Sequence, residues 1–131
     1  MTNTWFDNGM VQLYQADARS LPIPDNSVDC VVTSPPYWGL RDYGIDNGIG
    51  LEPTPEDFCA NLVAVFREVW RVLKPTGTVW LNLGDSYSSG SRTTTTNDTL
   101  RGDTLVNVTR TPVVLGIKPK DLVGISWRVA F

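Results

Sequence analysis

Histidine is missing from the 131 residues altogether, and cysteine is nearly so, with Cys30 and Cys59 the only two. Without histidine or a close cysteine pair, a zinc site of the usual nitrogen and sulfur donors is excluded, and no metal is expected. Two cysteines far apart in sequence make no disulfide framework. Cys30 sits in an apolar run and Cys59 beside Phe58, so both are expected as buried free thiols in a reducing compartment. No apolar run approaches the roughly 18 residues that a membrane span needs. Met1 is followed by polar residues and not by a basic stretch with an apolar core, so no signal peptide is visible and a cytoplasmic location is expected. Basic charge is also in short supply. The net charge is −3, and residues 1–84 hold five Lys/Arg against ten Asp/Glu, while residues 85–131 hold six against four. An acidic chain is a poor stand-alone DNA binder, because phosphate contacts dominate that affinity. If DNA is the substrate, the basic surface lies in the second half, in further sequence or in a partner.

What is present is enough for a core. At 41% hydrophobic and 19% charged, the chain is of globular and not disordered composition, and its length fits one domain. Val11 to Ala16 alternates in part and predicts a short strand ending at Asp17. Leu21 to Asn26 is a Pro-rich connection with an Asp25-Asn26 turn signal. Val28-Asp29-Cys30-Val31-Val32-Thr33 is a compact β-branched run, suited to a strand buried on both faces as in a parallel sheet. Ser34-Pro35-Pro36 stops it, since two prolines cannot continue a ladder.

Residues 37–53 form a loop rich in Gly, Asp and aromatics, and a helix follows. Thr54 suits its N-cap, Pro55 its first turn and Asp57 a capping box. Phe58, Leu62, Val65, Phe66, Val69 and Leu73 repeat at helical spacing, so one face is buried. Lys74-Pro75-Thr76-Gly77 ends it, and Thr78 to Leu83 is the next strand, broken by Gly84-Asp85. Strand, helix and strand with short connections make a right-handed βαβ unit, so the fold class is α/β with a mainly parallel sheet. Ser86 to about Thr111, with its runs of Ser and Thr, predicts a long mobile loop. A second helix is expected near Pro119, with Leu122, Ile125 and Val129 on its apolar face. The chain stops at Phe131 inside that pattern, which reads as a truncation.

Ligands of open α/β sheets bind at the carboxyl ends of the strands, and Thr33-Ser34-Pro35-Pro36-Tyr37-Trp38 lies at such an end. The two prolines fix the backbone and remove two N–H donors, leaving carbonyls and the Ser34 hydroxyl as acceptors. Such a place suits a ligand that donates hydrogen bonds, such as an exocyclic amine, and Tyr37 offers a flat face for a base. Read from the residues alone, a Pro-Pro turn that merely ends a strand accounts for the stretch equally well.

The wider sequence tips that balance. The motif at residues 33–38, preceded by Val28-Asp29, resembles motif IV of the DNA amino-methyltransferases. Phe66 to Tyr87 is similar to the helix-strand segment that follows it there, and Lys118 to Leu122 and Trp127 to Phe131 to a later segment. The resemblance implies a partial Rossmann-like, S-adenosylmethionine-dependent fold. Residues 1–131 would be the N-terminal part of the catalytic domain, with 86–111 as the mobile loop. It implies DNA as partner and a flipped base as target. Ser34, Pro35, Pro36 and Tyr37 would be the catalytic residues, and the serine form favours cytosine N4 over adenine N6. On the cofactor side it implies Asp17, near the adenine, and Asp85, although each also suits an ordinary turn.

The family's Phe-x-Gly-x-Gly loop is absent. Gly48-Ile49-Gly50 follows a loop and not a strand, and is expected to be a turn. In the permuted order of this family the base pocket comes first, so the chain is expected to be the first part only, completed by a C-terminal half or by another copy at an open sheet edge. Two rivals stand beside this reading. One is an RNA or protein amine methyltransferase, which Ser34 and the motif order disfavour. The other is a non-catalytic nucleic-acid-binding or partner-binding module, which the acidity and the missing loop favour.

Overall fold

A computed structural model describes residues 4–88, 114 and 116–131. They divide into two compact units: Met1–Thr33 with Val63–Leu81, and Ser34–Leu62 with Asn82–Phe131. No helix among the described residues is long and apolar enough to cross a membrane.

The first unit opens with a hairpin that the strand pattern of the sequence does not predict. Strand β1 (Thr4–Asp7) pairs antiparallel with β2 (Gln12–Tyr14) in a two-stranded sheet of its own. The turn is built from short polar side chains. Asp7 Oδ1 accepts from the Gly9 amide at 2.8 Å, and Asn8 Oδ1 accepts from Met10 and Val11 at 3.0 and 2.7 Å. Gly9 takes φ 80, a conformation that glycine adopts without steric cost. The strand expected over 11–16 is therefore shorter and does not join a parallel sheet.

The parallel pair is where it was expected. Strand β3 (Val28–Thr33) runs beside β4 (Leu73–Leu81) with Cys30 opposite Thr78 and Thr33 opposite Leu81. The parallel relation covers this pair alone among the described strands, so "mainly parallel" holds for β3 and β4 only. Between them in sequence comes helix α1 (Pro55–Val72). It starts as its sequence dictates. Thr54 Oγ1 accepts from the Asp57 amide at 3.1 Å and donates to Asp57 Oδ2 at 2.6 Å. Glu56 and Asp57 sit at the N-terminal end and Arg71 in the last turn, the arrangement that the helix dipole favours.

Two strand boundaries differ from expectation. β4 begins directly at Leu73, and the ladder slips between Val28↔Leu73 and Cys30↔Thr78. Pro75 has no N–H to give to a ladder, so Lys74-Pro75-Thr76-Gly77 bulges out and does not end the element. Gly77 is required there, because a Cβ would stand 2.6 Å from Leu73 Cγ. At the other end β4 stops at Leu81 and not at Leu83. Its partner ends at Thr33, and the two prolines that follow cannot extend the pairing.

Arg71 fixes how β3 enters. Its guanidinium donates to the carbonyls of Ile23 (3.0 Å) and Leu21 (2.9 Å) and grips Glu68 at 2.8 Å. Glu68 in turn accepts from the Leu21 amide at 3.0 Å. The amides of Asn26 and Ser27 bond the carbonyls of Arg71 and Val72. The Pro-rich connection is thus clamped to the end of α1, and β3 and β4 start side by side. The Asp25-Asn26 turn is present, with Asn26 at φ 51. The guanidinium, assisted by the Leu21 amide, holds the Glu68 carboxyl below its ordinary pKa.

β3 is not buried on both faces. Cys30 is exposed, and Val32 and its neighbour Trp80 are 79% and 67% exposed. Only half of the thiol expectation holds, since Cys59 is buried and Cys30 is not.

In the second unit the core is Trp38, Phe58, Cys59, Leu62, Val123 and Ile125. Helix α2 (Ile125–Ala130) begins later than expected. Lys120 and Gly124 take φ 73 and 81, which a right-handed helix cannot accommodate. Residues 120–123 instead run antiparallel to 86–88, bridging at Tyr87 and Leu122. Val123 N donates to Ser86 O at 2.8 Å, and Ser88 N to Asp121 O at 2.9 Å. Ser86 and Ser88 are buried. Residues 86–88 of the expected mobile loop are thus paired with 120–123, and the rest of that loop lies outside the described residues.

Candidate active site

Ser34 follows the last residue of β3 and is exposed. No described residue bonds its hydroxyl. Pro35, Pro36 and Tyr37 are half-buried. The chain then turns, with the Leu40 amide donating to Tyr37 O at 3.3 Å. The exposed Ser34 hydroxyl is thus followed by two residues without N–H.

The neighbouring loop is closed in part by Gly39, Glu52 and Asn61, for which the sequence suggested no role. Trp38 is buried, and its Nε1 donates to Glu52 O at 2.9 Å. The Glu52 carboxylate accepts from the Gly50 amide and from Asn61 Nδ2, both at 2.9 Å. Gly39 N donates to Gly50 O at 2.7 Å. Gly50 has φ 118, and a Cβ there would stand 3.2 Å from Pro36 Cβ. Gly48-Ile49-Gly50 is thus part of a closed loop, as expected, with Gly48 N bonded to Ile45 O at 3.1 Å. At Gly50 the loop passes close to Pro36 and to the Tyr37 carbonyl.

Tyr37 rests on Gly84. A Cβ at position 84 would lie 2.7 Å from Tyr37 Cε2 and 3.1 Å from Cζ. Only glycine lets the ring approach the backbone so closely. This was not visible in sequence, because the two residues are far apart along the chain and Gly84 reads as a simple strand break.

Asp85 is in the same unit as Ser34 and Tyr37. Its carboxylate is engaged with backbone. Oδ1 accepts from Ile125 N at 2.9 Å and Ser86 N at 2.8 Å, and Oδ2 from Gly124 N at 3.0 Å. Beside it the Ser86 hydroxyl donates to Trp38 O at 2.8 Å in the interior.

Asp17 belongs to the first unit. It lies three residues beyond the end of β2, and its carboxylate is gripped by Arg19 through Nη2 at 2.7 Å, Nε at 3.0 Å and the backbone amide at 2.8 Å. Those bonds to Arg19 lower its pKa to about 2. No group of carboxylates and cysteines able to hold a metal occurs among the described residues.

A DNA methylase family model matches residues 28–121, which takes in the Ser-Pro-Pro-Tyr motif, α1, β4 and the Asp85 segment. The chain is 52% identical over 121 residues to the Type II methyltransferase M.XycI of Xanthomonas campestris pv. cyanopsidis. It is 49% identical over 121 residues to M.Cfr9I of Citrobacter freundii, and 53% over 103 residues to M.SmaI of Serratia marcescens. The first two alignments cover 91% of this chain and 40% of the relative, so the chain spans well under half the length of those enzymes. The third covers 79% of this chain and 35% of the relative. No solved structure matches the chain.

Proposed function

The chain belongs to the DNA methylase family, and from that premise we propose that it is the base-holding, N-terminal part of a site-specific DNA methyltransferase catalytic domain. In this reading the enzyme moves a methyl group from S-adenosylmethionine to the exocyclic amine of a flipped base, cytosine N4 in preference to adenine N6. The observation that carries it is the exposed Ser34 hydroxyl, with no partner among the described residues, beside Pro35 and Pro36 and a Tyr37 ring seated on Gly84.

The amine of a nucleobase is a weak nucleophile, because its lone pair is delocalised into the ring. A base inside the duplex cannot be reached and must be turned out. Ser34 Oγ and a carbonyl of the Pro-Pro segment accept the two amine N–H bonds. That draws the nitrogen toward a tetrahedral geometry and directs its lone pair outward. Tyr37 stacks on the base and holds its plane. No strong base is needed before attack, since the methylated nitrogen sheds its proton afterwards. Cytosine is preferred because the motif begins with serine.

S-adenosylmethionine supplies the electrophilic methyl group. Both candidate contacts for it are engaged with other groups of the chain. Both oxygens of Asp17 are taken by Arg19, and the one Gly-x-Gly of the sequence closes a loop on Gly39. Asp17 is assigned to the adenine end by resemblance alone, and Arg19 would have to yield an oxygen for it. The methionine end is assigned to further sequence of the enzyme, as is most of the basic DNA surface.

The test is nucleoside mass spectrometry of plasmid DNA from cells expressing the full-length enzyme. N4-methylcytosine is the expected product. N6-methyladenine would keep the chemistry and overturn the choice of base. No modified base in DNA, with binding retained, would support a non-catalytic module.

A further inference from the structure

Asp85 offers its carboxylate to the amides of Gly124 and Ile125, immediately after the glycine that seats Tyr37. A cap for α2 alone would need no fixed relation to the motif loop, yet residues 84–86 touch both. On one side Gly84 meets the Tyr37 ring and the Ser86 hydroxyl holds Trp38 O. On the other side Asp85 holds Gly124 and Ile125, and Ser86 O accepts from Val123 N. Three consecutive residues therefore form a strap with the motif on one side and residues 123–125 on the other.

We propose that Asp85 is a positioning residue for Tyr37: by anchoring the strap to Gly124 and Ile125 it holds Gly84 against the ring and so sets the plane on which the target base stacks. A carboxylate suits the task, because two acceptor oxygens can take several backbone N–H donors at once. An amide side chain cannot do the same. In Asn one oxygen still accepts, but the NH2 group faces a backbone N–H and repels it. The strap then loses an anchor and gains freedom to slide. Gly84 has no side chain with which to hold its own place, so its approach to the ring depends on the residues next to it. The functional part of the inference rests on Tyr37 stacking the base, while the positional part does not.

The test uses the 131-residue chain with 3-fluorotyrosine incorporated at position 37 and read by fluorine NMR. Asp85→Asn is expected to displace or split the position-37 resonance. Gly84→Ala, which pushes the ring directly, should move it further. Gly77→Ala, whose Cβ would meet Leu73 and Lys74, is the control and should leave it in place. An unmoved fluorine signal in folded Asp85→Asn, with the amide signals of Gly124 and Ile125 shifted, would reduce Asp85 to a cap for α2 and overturn the proposal. If Asp85→Asn does not fold, Gly124→Ala disturbs the donor end, because Gly124 has φ 81. An unchanged position-37 resonance in that variant would overturn the proposal equally. None of these readings depends on methylation, so a failure of the proposed activity is scored separately by the nucleoside assay.

Discussion

Gly84 and Tyr37 are in such close contact that a β-carbon at position 84 would stand 2.7 Å from the phenol ring. Gly84→Ala is therefore an overpacking substitution, expected to destabilise the chain by about 1–3 kcal/mol. In the Tyr37→Ala background the ring is gone, and the same substitution should cost much less. Urea denaturation of the two single variants and the double variant measures the coupling. Additive costs would mean that the ring and Gly84 do not meet in solution.

In the proposed mechanism Ser34 and Tyr37 have separable tasks. There Ser34→Ala would remove, in the full-length enzyme, one acceptor from a reacting amine. It should slow methyl transfer by an amount corresponding to on the order of 2–4 kcal/mol, by analogy with loss of a transition-state hydrogen bond. Tyr37→Ala should weaken base binding by about 1–3 kcal/mol through lost stacking. Single-turnover rates and KM for DNA, measured on both variants, distinguish the two. Near wild-type values in both would contradict these roles. The fold should survive Ser34→Ala, since the hydroxyl is exposed and supports no described residue.

Much of this arrangement was legible in the sequence where the signal is local. The start of α1 follows from Thr54, Pro55 and Asp57, and its buried face from Phe58, Leu62 and Val69. The parallel pairing of β3 and β4 follows from a β-branched run, a helix and a second run joined by short connections. The hairpin of β1 and β2 could have been found from Asn8-Gly9, a recognised hairpin turn signal. The helix expected from Pro119 was not recoverable in the same way. Leu122, Ile125 and Val129 keep helical spacing, and only the left-handed backbone at Lys120 and Gly124 breaks it. The clamp of Arg71 on Leu21 and Ile23, the seat of Tyr37 on Gly84 and the anchor of Asp85 on Gly124 join residues distant in sequence. Single-residue patterns carry no trace of such pairings.

The two thiols differ in environment. Cys59 is buried, and burial raises its pKa, whereas Cys30 is exposed on β3. Reactivity requires thiolate and access. One thiol equivalent is expected to react quickly with a disulfide reagent in the native chain and the second only on unfolding. Cys30→Ser should abolish the fast phase. A fast phase that survives this change would show that Cys59 is reached without unfolding.

Asp17 is held by Arg19 with a pKa of about 2, below the usual carboxylate value of about 3.9. A depressed folded-state pKa means stability that is fully present above the unfolded value and is lost as pH falls through the folded one. The window therefore runs from near pH 4 down to about pH 2. The contribution is small, because this pair is largely solvated and screened. Carbon-detected NMR titration should place the Asp17 midpoint near 2, and Arg19→Ala should return it toward the ordinary value. A midpoint that Arg19→Ala leaves unmoved would assign the shift to another cause.

The same ion pair bears on the cofactor. An adenine amine approaching Asp17 must compete with three Arg19 donors for two oxygens. In the Gly48–Gly50 loop the amides of Gly48 and Gly50 are already bonded to Ile45 O and to the Glu52 carboxylate. The 131-residue chain is accordingly expected to bind S-adenosylmethionine weakly or not at all, and to transfer no methyl group to DNA by itself. Calorimetry with S-adenosylmethionine and a radiolabelled transfer assay on the isolated chain decide the matter. Micromolar binding with turnover would mean that Arg19 releases Asp17 readily and that these residues hold the cofactor without a glycine-rich loop. If binding is weak, Arg19→Ala offers a second reading of the same experiment. Should freeing the Asp17 oxygens raise the affinity measurably, the adenine end lies at Asp17. Should affinity stay unchanged, the resemblance has misplaced that contact and the adenine is held elsewhere in the enzyme.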